Sequence, residues 1–526
     1  MLSKPTQKYL QTMASFDLPK TEEETLPKIH ADYVASKFAT LYEKLRQVID
    51  FQEEHLLRKN AIDRILKRRL ILSSDPEEIV SSLVYELIRG GYFPNDKIPE
   101  IRIEEVKKAL KKYIFLIKNI PGTLDSSERN QLSLWLQSLA ACEIEEILSP
   151  PVKEKALLEY MYETMQGKIS AINGITEQKK NFYIFIACQK ALLKSDKSLI
   201  SFRVFQRYIP NWSEINEEGF TDLSQEIYSL KDKINEEISS SLSKKILEIV
   251  SQYTAPFLII GDVVSENPKE TTSLFEKPEV LDQKLFKAYS ERHENCRKKI
   301  QRSGIRSVIS IFLSKVALAF LIEIPFDVYV TKKFSYLAMG INIFIPVSLM
   351  FLIISTIKVP KSEAAPQVVM EAMKVIQETQ NPKTYEIRPS RKRSFFLSTF
   401  LNLINFIVSG AVFGIMIYIL AKMNLSVLSI LIFLIFFCLI SFSAIKIRQW
   451  TKELKITPEK EGIAAFLIDL LFLPFVRVGK WLSVKVQKYN IFILLLNLFF
   501  EAPLQTFFEF VESWRGYLKE KKAEIE

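Results

Sequence analysis

The chain is 526 residues long, 48% hydrophobic and 25% charged, with a formal net charge of +10. That length allows roughly two to four structural units. The apolar residues are too unevenly spread for one uniform globule: the first 300 positions are polar and charged, while much of 305–510 is greasy enough to face lipid. Four well-separated cysteines with no CxxC pair disfavour a zinc ribbon or a redox motif, and the three scattered histidines disfavour an imidazole-based metal centre.

The first twenty residues have no apolar core segment, so no cleaved secretory signal is expected. Residues 1–28, with Pro5, Pro19 and Pro27, read as a flexible tail. A long helical pattern covers 31–72 and ends in Arg58, Lys59, Arg64, Lys67, Arg68 and Arg69. Such a run is either a solvated helix face or a patch for lipid or a partner. Asp75-Pro76 starts another helix, which Gly90-Gly91 stops. Further helices are expected at 101–119, 126–148, 152–166, 176–194, 197–208, 222–255 and 277–303. One run, FLIIGDVV at 257–264, looks strand-like, but a single short strand makes no sheet, so 29–303 is expected to be an all-helical domain.

Two apolar spans follow, at 305–330 and 334–359, separated by Thr331, Lys332 and Lys333. At about 1.5 Å per residue each could cross a hydrocarbon core about 30 Å thick. Residues 304–359 are therefore expected to form a transmembrane hairpin. The basic loop 360–394 carries a short amphipathic helix with Val368, Val369, Met373, Val375 and Ile376. A second hairpin is expected at 395–446. In the remaining segment, 447–526, the apolar run 463–476 contains Asp469 and Pro474 and is short for a crossing, which suits an interfacial or re-entrant helix. In the run 491–511 and its flanks, Asn490, Asn497, Glu501, Gln505 and Glu512 fall within roughly 80° of a helical wheel, as in a helix lying in the membrane surface.

Basic residues set the expected orientation. Arg297, Lys298, Lys299, Arg302 and Arg306 precede the first hairpin, and Arg391, Lys392 and Arg393 precede the second. Two hairpins entered from the cytoplasm keep all of these inside, against anionic headgroups, with a cytoplasmic N-terminus.

Several polar groups run against the lipid's preference. Lys315, Glu323 and Asp327 lie in the first span, with Pro325 between the two acids, and Asn342 and Pro346 lie in the second. An ionisable group inside a crossing helix costs about 2.5–3.5 kcal/mol on insertion scales. These residues therefore mark either an ion or proton site at a broken helix, or acids at the headgroup level with a paired or snorkelling lysine. Ser398, Asn402, Asn405 and Ser409 form a stripe within roughly 60° on the third span. The stripe lines an aqueous path or supplies hydrogen bonds between helices.

Phosphate-loop, dinucleotide-binding, zinc-protease and nucleophile-elbow patterns are missing from the sequence. No catalytic residue, cofactor site, metal site or nucleic-acid partner is therefore expected. The expectation is an all-α, multi-pass helical membrane protein of the cell membrane. Its function would be a non-enzymatic scaffold, tether or assembly factor, whose cytoplasmic helices bind a protein partner and whose membrane part is compatible with a homo-oligomer. A channel or secondary transporter using the intramembrane polar groups is the alternative.

Overall fold

The structure, a computed structural model, describes residues 2–16, 26–30, 54–73, 75–171, 175–266 (without 213 and 216), 268, 271–332, 336–356, 364–377, 384–387, 395–423, 425–452 and 463–488, together with 510, 514, 517 and 521. The fold is all-α. In chain order the elements are α1 (Lys4–Phe16), α2 (Glu54–Leu72), α3 (Pro76–Arg89), α4 (Ile101–Lys118), α5 (Ser126–Leu148), α6 (Val152–Lys168), β1 (Ile169–Ala171), α7 (Glu177–Leu192), α8 (Lys197–Tyr208), α9 (Glu217–Ser239), α10 (Ser241–Ser251), α11 (Thr254–Glu266), α12 (Thr271–Phe275), α13 (Pro278–Leu318), α14 (Tyr336–Thr356), α15 (Ala365–Ile376), β2 (Tyr385–Ile387), α16 (Phe395–Lys422), α17 (Val427–Lys452) and α18 (Ile463–Lys488). Two π-helical turns, Ala319–Glu323 and Phe326–Thr331, follow α13. The chain forms two compact units. One comprises Met1–Asn295, Pro360–Arg391 and Glu453–Pro458; the other comprises Cys296–Val359, Lys392–Lys452 and Glu459–Glu526.

In the first unit α5 is the hub. Asp125 accepts from the Glu128 N–H while the Glu128 carboxylate accepts from the Asp125 N–H, a reciprocal cap that fixes where α5 begins. Leu132, Leu136 and Leu139 are fully buried at helical spacing. Three glutamates near its end tie it to its neighbours. Glu143 accepts from Tyr113 of α4 at 2.6 Å, Glu145 accepts from Arg58 of α2 at 2.8 and 2.9 Å, and Glu146 pairs with Arg203 of α8.

Two elements of this unit depart from the sequence expectation. Residues 4–16, expected in a loose tail, form α1, whose Tyr9, Leu10 and Met13 are buried. Tyr9 stacks on Tyr160 with ring centroids 4.9 Å apart, and Thr6 hydrogen-bonds the Tyr160 hydroxyl at 2.7 Å. The strand-like run FLIIGDVV is the middle of α11. Phe257, Ile259, Ile260, Val263 and Val264 are all buried, and a helix enclosed on every side shows the same unbroken apolar run as a buried strand. The short amphipathic helix expected within 360–394 forms as α15 and buries Val368, Val369, Ala372, Val375 and Ile376 within the first unit. β2 pairs in parallel with β1, Ile169 opposite Tyr385 and Ala171 opposite Ile387. The Ser3 N–H donates to the Ile376 carbonyl at 2.9 Å.

In the second unit, Ile300, Met350, Ile440 and Ile447 form one buried apolar cluster. Leu420, Leu425, Ile430, Phe433, Phe437, Cys438 and Phe475 form another. Phe475 of α18 meets Phe437 of α17 edge-on at 4.6 Å. Among the described residues, three helices are long and apolar enough to cross a membrane: Pro278–Val330, Thr399–Lys422 and Val427–Arg448. A shorter apolar helical stretch covers Met339–Ser355. The run 463–476, expected as a short helix, belongs to the longer α18.

Candidate functional site

The polar groups of the first two spans meet in the second unit. Glu323 is buried, as are Lys315, Asn342 and Ser429. The Lys315 ammonium donates to Glu323 Oε1 at 2.6 Å. Asn342 Nδ2, from α14, donates to Glu323 Oε2 at 2.6 Å, and Ser429 Oγ, from α17, donates to the same oxygen at 3.4 Å. Lys315 Nζ also lies 5.4 Å from the centre of the Phe436 ring, whose negative face attracts a cation. One carboxylate thus collects a charge, an amide and a hydroxyl from three helices.

Local backbone chemistry builds this site. Lys315 and Glu323 are eight positions apart, which on a regular α-helix leaves them roughly 80° apart around the axis. Pro325 lacks an N–H, and its ring clashes with the carbonyl four residues back in a regular α-helix. The helix responds by widening rather than breaking. The Ile324 N–H reaches back five residues to the Ala319 carbonyl, and a second π-turn follows Pro325. Widened turns of this kind recur at functional sites. The wider turn swings Glu323 back over Lys315. The helix then ends at Lys332, in the left-handed conformation at φ 53°. The break expected at Pro325 is therefore a π-helical segment.

The remaining candidates lie elsewhere. Asp327, one turn beyond Glu323, is half-buried. On α16, Asn402 is exposed, Asn405 and Ser409 are half-buried, and the Ser409 hydroxyl is spent on the Asn405 carbonyl of its own helix at 2.7 Å. Among the described residues, Asn402, Asn405 and Ser409 supply no hydrogen bond to Glu323. Ser398 and Asp469 fall within α16 and α18. Glu501, Arg391, Lys392 and Arg393 lie outside the described residues. Arg297, Lys298, Lys299, Arg302 and Arg306 lie on α13, and of these Arg297, Lys298, Arg302 and Arg306 are exposed. Ser429 was missed by sequence reasoning. An isolated serine in an apolar span carries no signal of its own, although the serine–carboxylate pairing is a 106-residue contact once the helices pack.

The basic run 58–69 resolves into ion pairs inside the first unit. Arg58 binds Glu145, Lys59 binds Asp196 at 2.5 Å, and Arg68 and Arg69 share Glu86. Lys67 is exposed. Burial and the nearby Asp196 carboxylate act in opposite directions on Lys59, and the balance raises its affinity for a proton.

Burial also raises the carboxyls of Asp63, Glu143 and Glu145, the last to about 7. For an acid so raised, the folded state holds more protons than the unfolded state between the two pKa values. Stability on its account is full at low pH and falls as pH rises from about 4.5 to about 7. Amide exchange of α5 peptides in the full-length protein, corrected for intrinsic rates, should therefore be slower at pH 5.5 than at pH 8. Glu145→Gln should flatten that slope; an unchanged slope would remove Glu145 as its source.

Compared with known family models, curated proteins and solved structures, the chain has no match.

Proposed function

We propose that the chain is a multi-pass membrane protein whose first unit is a cytoplasmic helical head, and that it works as a non-enzymatic tether or assembly scaffold for a protein partner. The observation that carries this reading is the order in which the chain visits the two units. It leaves the first at Asn295, returns at Pro360, leaves again after Arg391 and returns at Glu453. A head that stays on one side of a bilayer requires each excursion to cross an even number of times. The apolar helices between those points supply two crossings apiece if Met339–Ser355 serves as the return leg of the first. The exposed Arg297, Lys298, Arg302 and Arg306, at the point where α13 leaves the head, suit the anionic inner leaflet.

A scaffold also suits the head's chemistry. The charges of α5 are used to fasten α2, α4 and α8, as in a rigid recognition body. Two experiments test the reading. The protein should stay in the pellet after carbonate washing, and release into the supernatant would sink the membrane assignment. Single cysteines at Lys332 should react with an impermeant maleimide from outside, while cysteines at Ser362 and Thr457 should react only after permeabilisation. Labelling at 362 from outside would overturn the orientation. Cross-linking from native membranes should then recover the same partner through the head whether or not the Glu323 site is intact.

A further inference from the structure

We propose that the outward face of α18 seats a transmembrane helix of a partner protein, and that this helix carries a carboxylate at mid-bilayer depth to meet Arg477 and Lys480. The inference rests on the reading of the second unit as membrane-spanning and adds to it the chemistry of a partner.

Depth comes from one contact. Gly479 of α18 lies so close to α17 that a Cβ built on it would fall 2.0 Å from the Cys438 carbonyl oxygen. Cys438 is near the middle of the apolar span Val427–Arg448. At about 1.5 Å per residue, about 15 Å of helix separates it from either end. The two helices therefore touch near half-depth, whatever the angle at which they cross. Arg477 precedes Gly479 by two positions and Lys480 follows it by one, a rise of at most about 3 Å along α18. Snorkelling relieves lysines and arginines near the ends of a span. Their stems of three or four methylenes are too short to reach the headgroups from its middle.

Both side chains face away from α17. On a regular helix Leu470, Leu473, Arg477, Lys480 and Trp481 fall within roughly 100° of one another, on the side opposite Gly479. All five are exposed. Neither Arg477 nor Lys480 has an ion pair or hydrogen bond among the described residues. The cation deep in the first span, Lys315, has its carboxylate in Glu323. Charged groups inside a bilayer pair with one another or line water rather than face acyl chains.

The spacing decides what covers them. Positions 470, 473, 477 and 480 recur at intervals of three, four and three, the seam along which one helix packs beside another. A phospholipid holds its phosphate at the surface, out of reach. A second copy docked about a two-fold axis would bring the same two cations face to face. Seam and charge together call for an apolar helix of another protein with Asp or Glu opposite Arg477 and Lys480. A guanidinium takes such a carboxylate with two parallel hydrogen bonds.

The test is photocross-linking of the full-length protein in its native membranes. Benzoylphenylalanine is placed at Leu473 or at Trp481, and at Ile407 of α16, 60% exposed, as the lipid-facing control. Positions 473 and 481 should each give one protein adduct that resists carbonate washing, and position 407 none. The cross-linked partner peptide, sequenced by mass spectrometry, should be an apolar stretch that holds Asp or Glu. Arg477→Glu/Lys480→Glu should lower the adduct yield more than about tenfold, and exchanging the partner's acid for Lys should restore it. Adducts with lipid alone, with a second copy, with the chain's own 491–511 run or with a partner peptide that lacks an acid would overturn the proposal. So would a missing adduct at 473 and 481, or a yield indifferent to charge reversal. If the charge-reversed variant does not fold, the composition of the partner peptide recovered with Arg477 and Lys480 intact decides the matter. Release of the protein itself by carbonate would sink the membrane reading first, and the proposal with it.

Discussion

Lys315→Met, unfolded in choline buffer, is expected to be about 3–5 kcal/mol less stable than wild type, and Lys315→Met/Glu323→Met to recover most of that loss. Both side chains are essentially sealed from solvent, at 0% and 3% exposure. Removing one partner strands the other charge away from water. Removing both replaces a desolvated pair by apolar chains of similar length, a change that is often neutral or stabilising. The Asn342 amide and Ser429 hydroxyl lose their acceptor in the double variant, so recovery should stop short by roughly 1–2 kcal/mol. The non-additivity is the diagnostic quantity. Losses that simply sum across the two sites would mean that the pair is not formed in the folded protein. Denaturant titration of the full-length protein in nanodiscs, followed by exchange of α13 and α14 peptides, measures it.

The helical class and most helix positions could be read from periodicity, because starts such as Asp75-Pro76 and stops such as Gly90 act locally. What sequence alone could not supply was any feature set by a distant partner. The apolar face of α15 promised an amphipathic helix, but whether lipid or protein covers such a face depends on residues far away in the chain. Here α11, about 100 positions earlier, settles it by packing against α15. The basic run of α2 looked solvated because its counter-charges, Glu86, Glu145 and Asp196, sit in three other segments. At the candidate site, Lys315, Glu323 and Asn342 stood out as polar residues in apolar spans. Their convergence did not, because an ideal wheel puts Lys315 and Glu323 on different faces. The π-turn that aligns them is a response to Pro325, which reads in a sequence only as a break.

The packing of α17 on α18 rests on a residue with no side chain, and Gly479→Ala should show it. A Cβ built at Gly479 would lie 2.0 Å from the Cys438 carbonyl oxygen and 2.9 Å from the Phe442 Cβ. The first obstacle is backbone, which cannot rotate away as a side chain can. To admit one methyl, α18 must retreat from α17 by more than an ångström, and the Phe475–Phe437 and Phe472–Phe437 ring contacts open with it. Overpacking typically costs about 1–3 kcal/mol, and a clash with a helix backbone belongs at the upper end. The same unit holds its own controls. Gly410 and Gly414 of α16 have nothing within 4 Å of a built Cβ. There alanine only removes glycine's poor helix propensity, so Gly410→Ala and Gly414→Ala should each be neutral or stabilising by up to about 1 kcal/mol. Thermal unfolding of the three variants in nanodiscs should order them with Gly479→Ala far below wild type and the α16 variants at or above it. Equal transitions for all three would mean that α18 does not lie against α17 at Cys438.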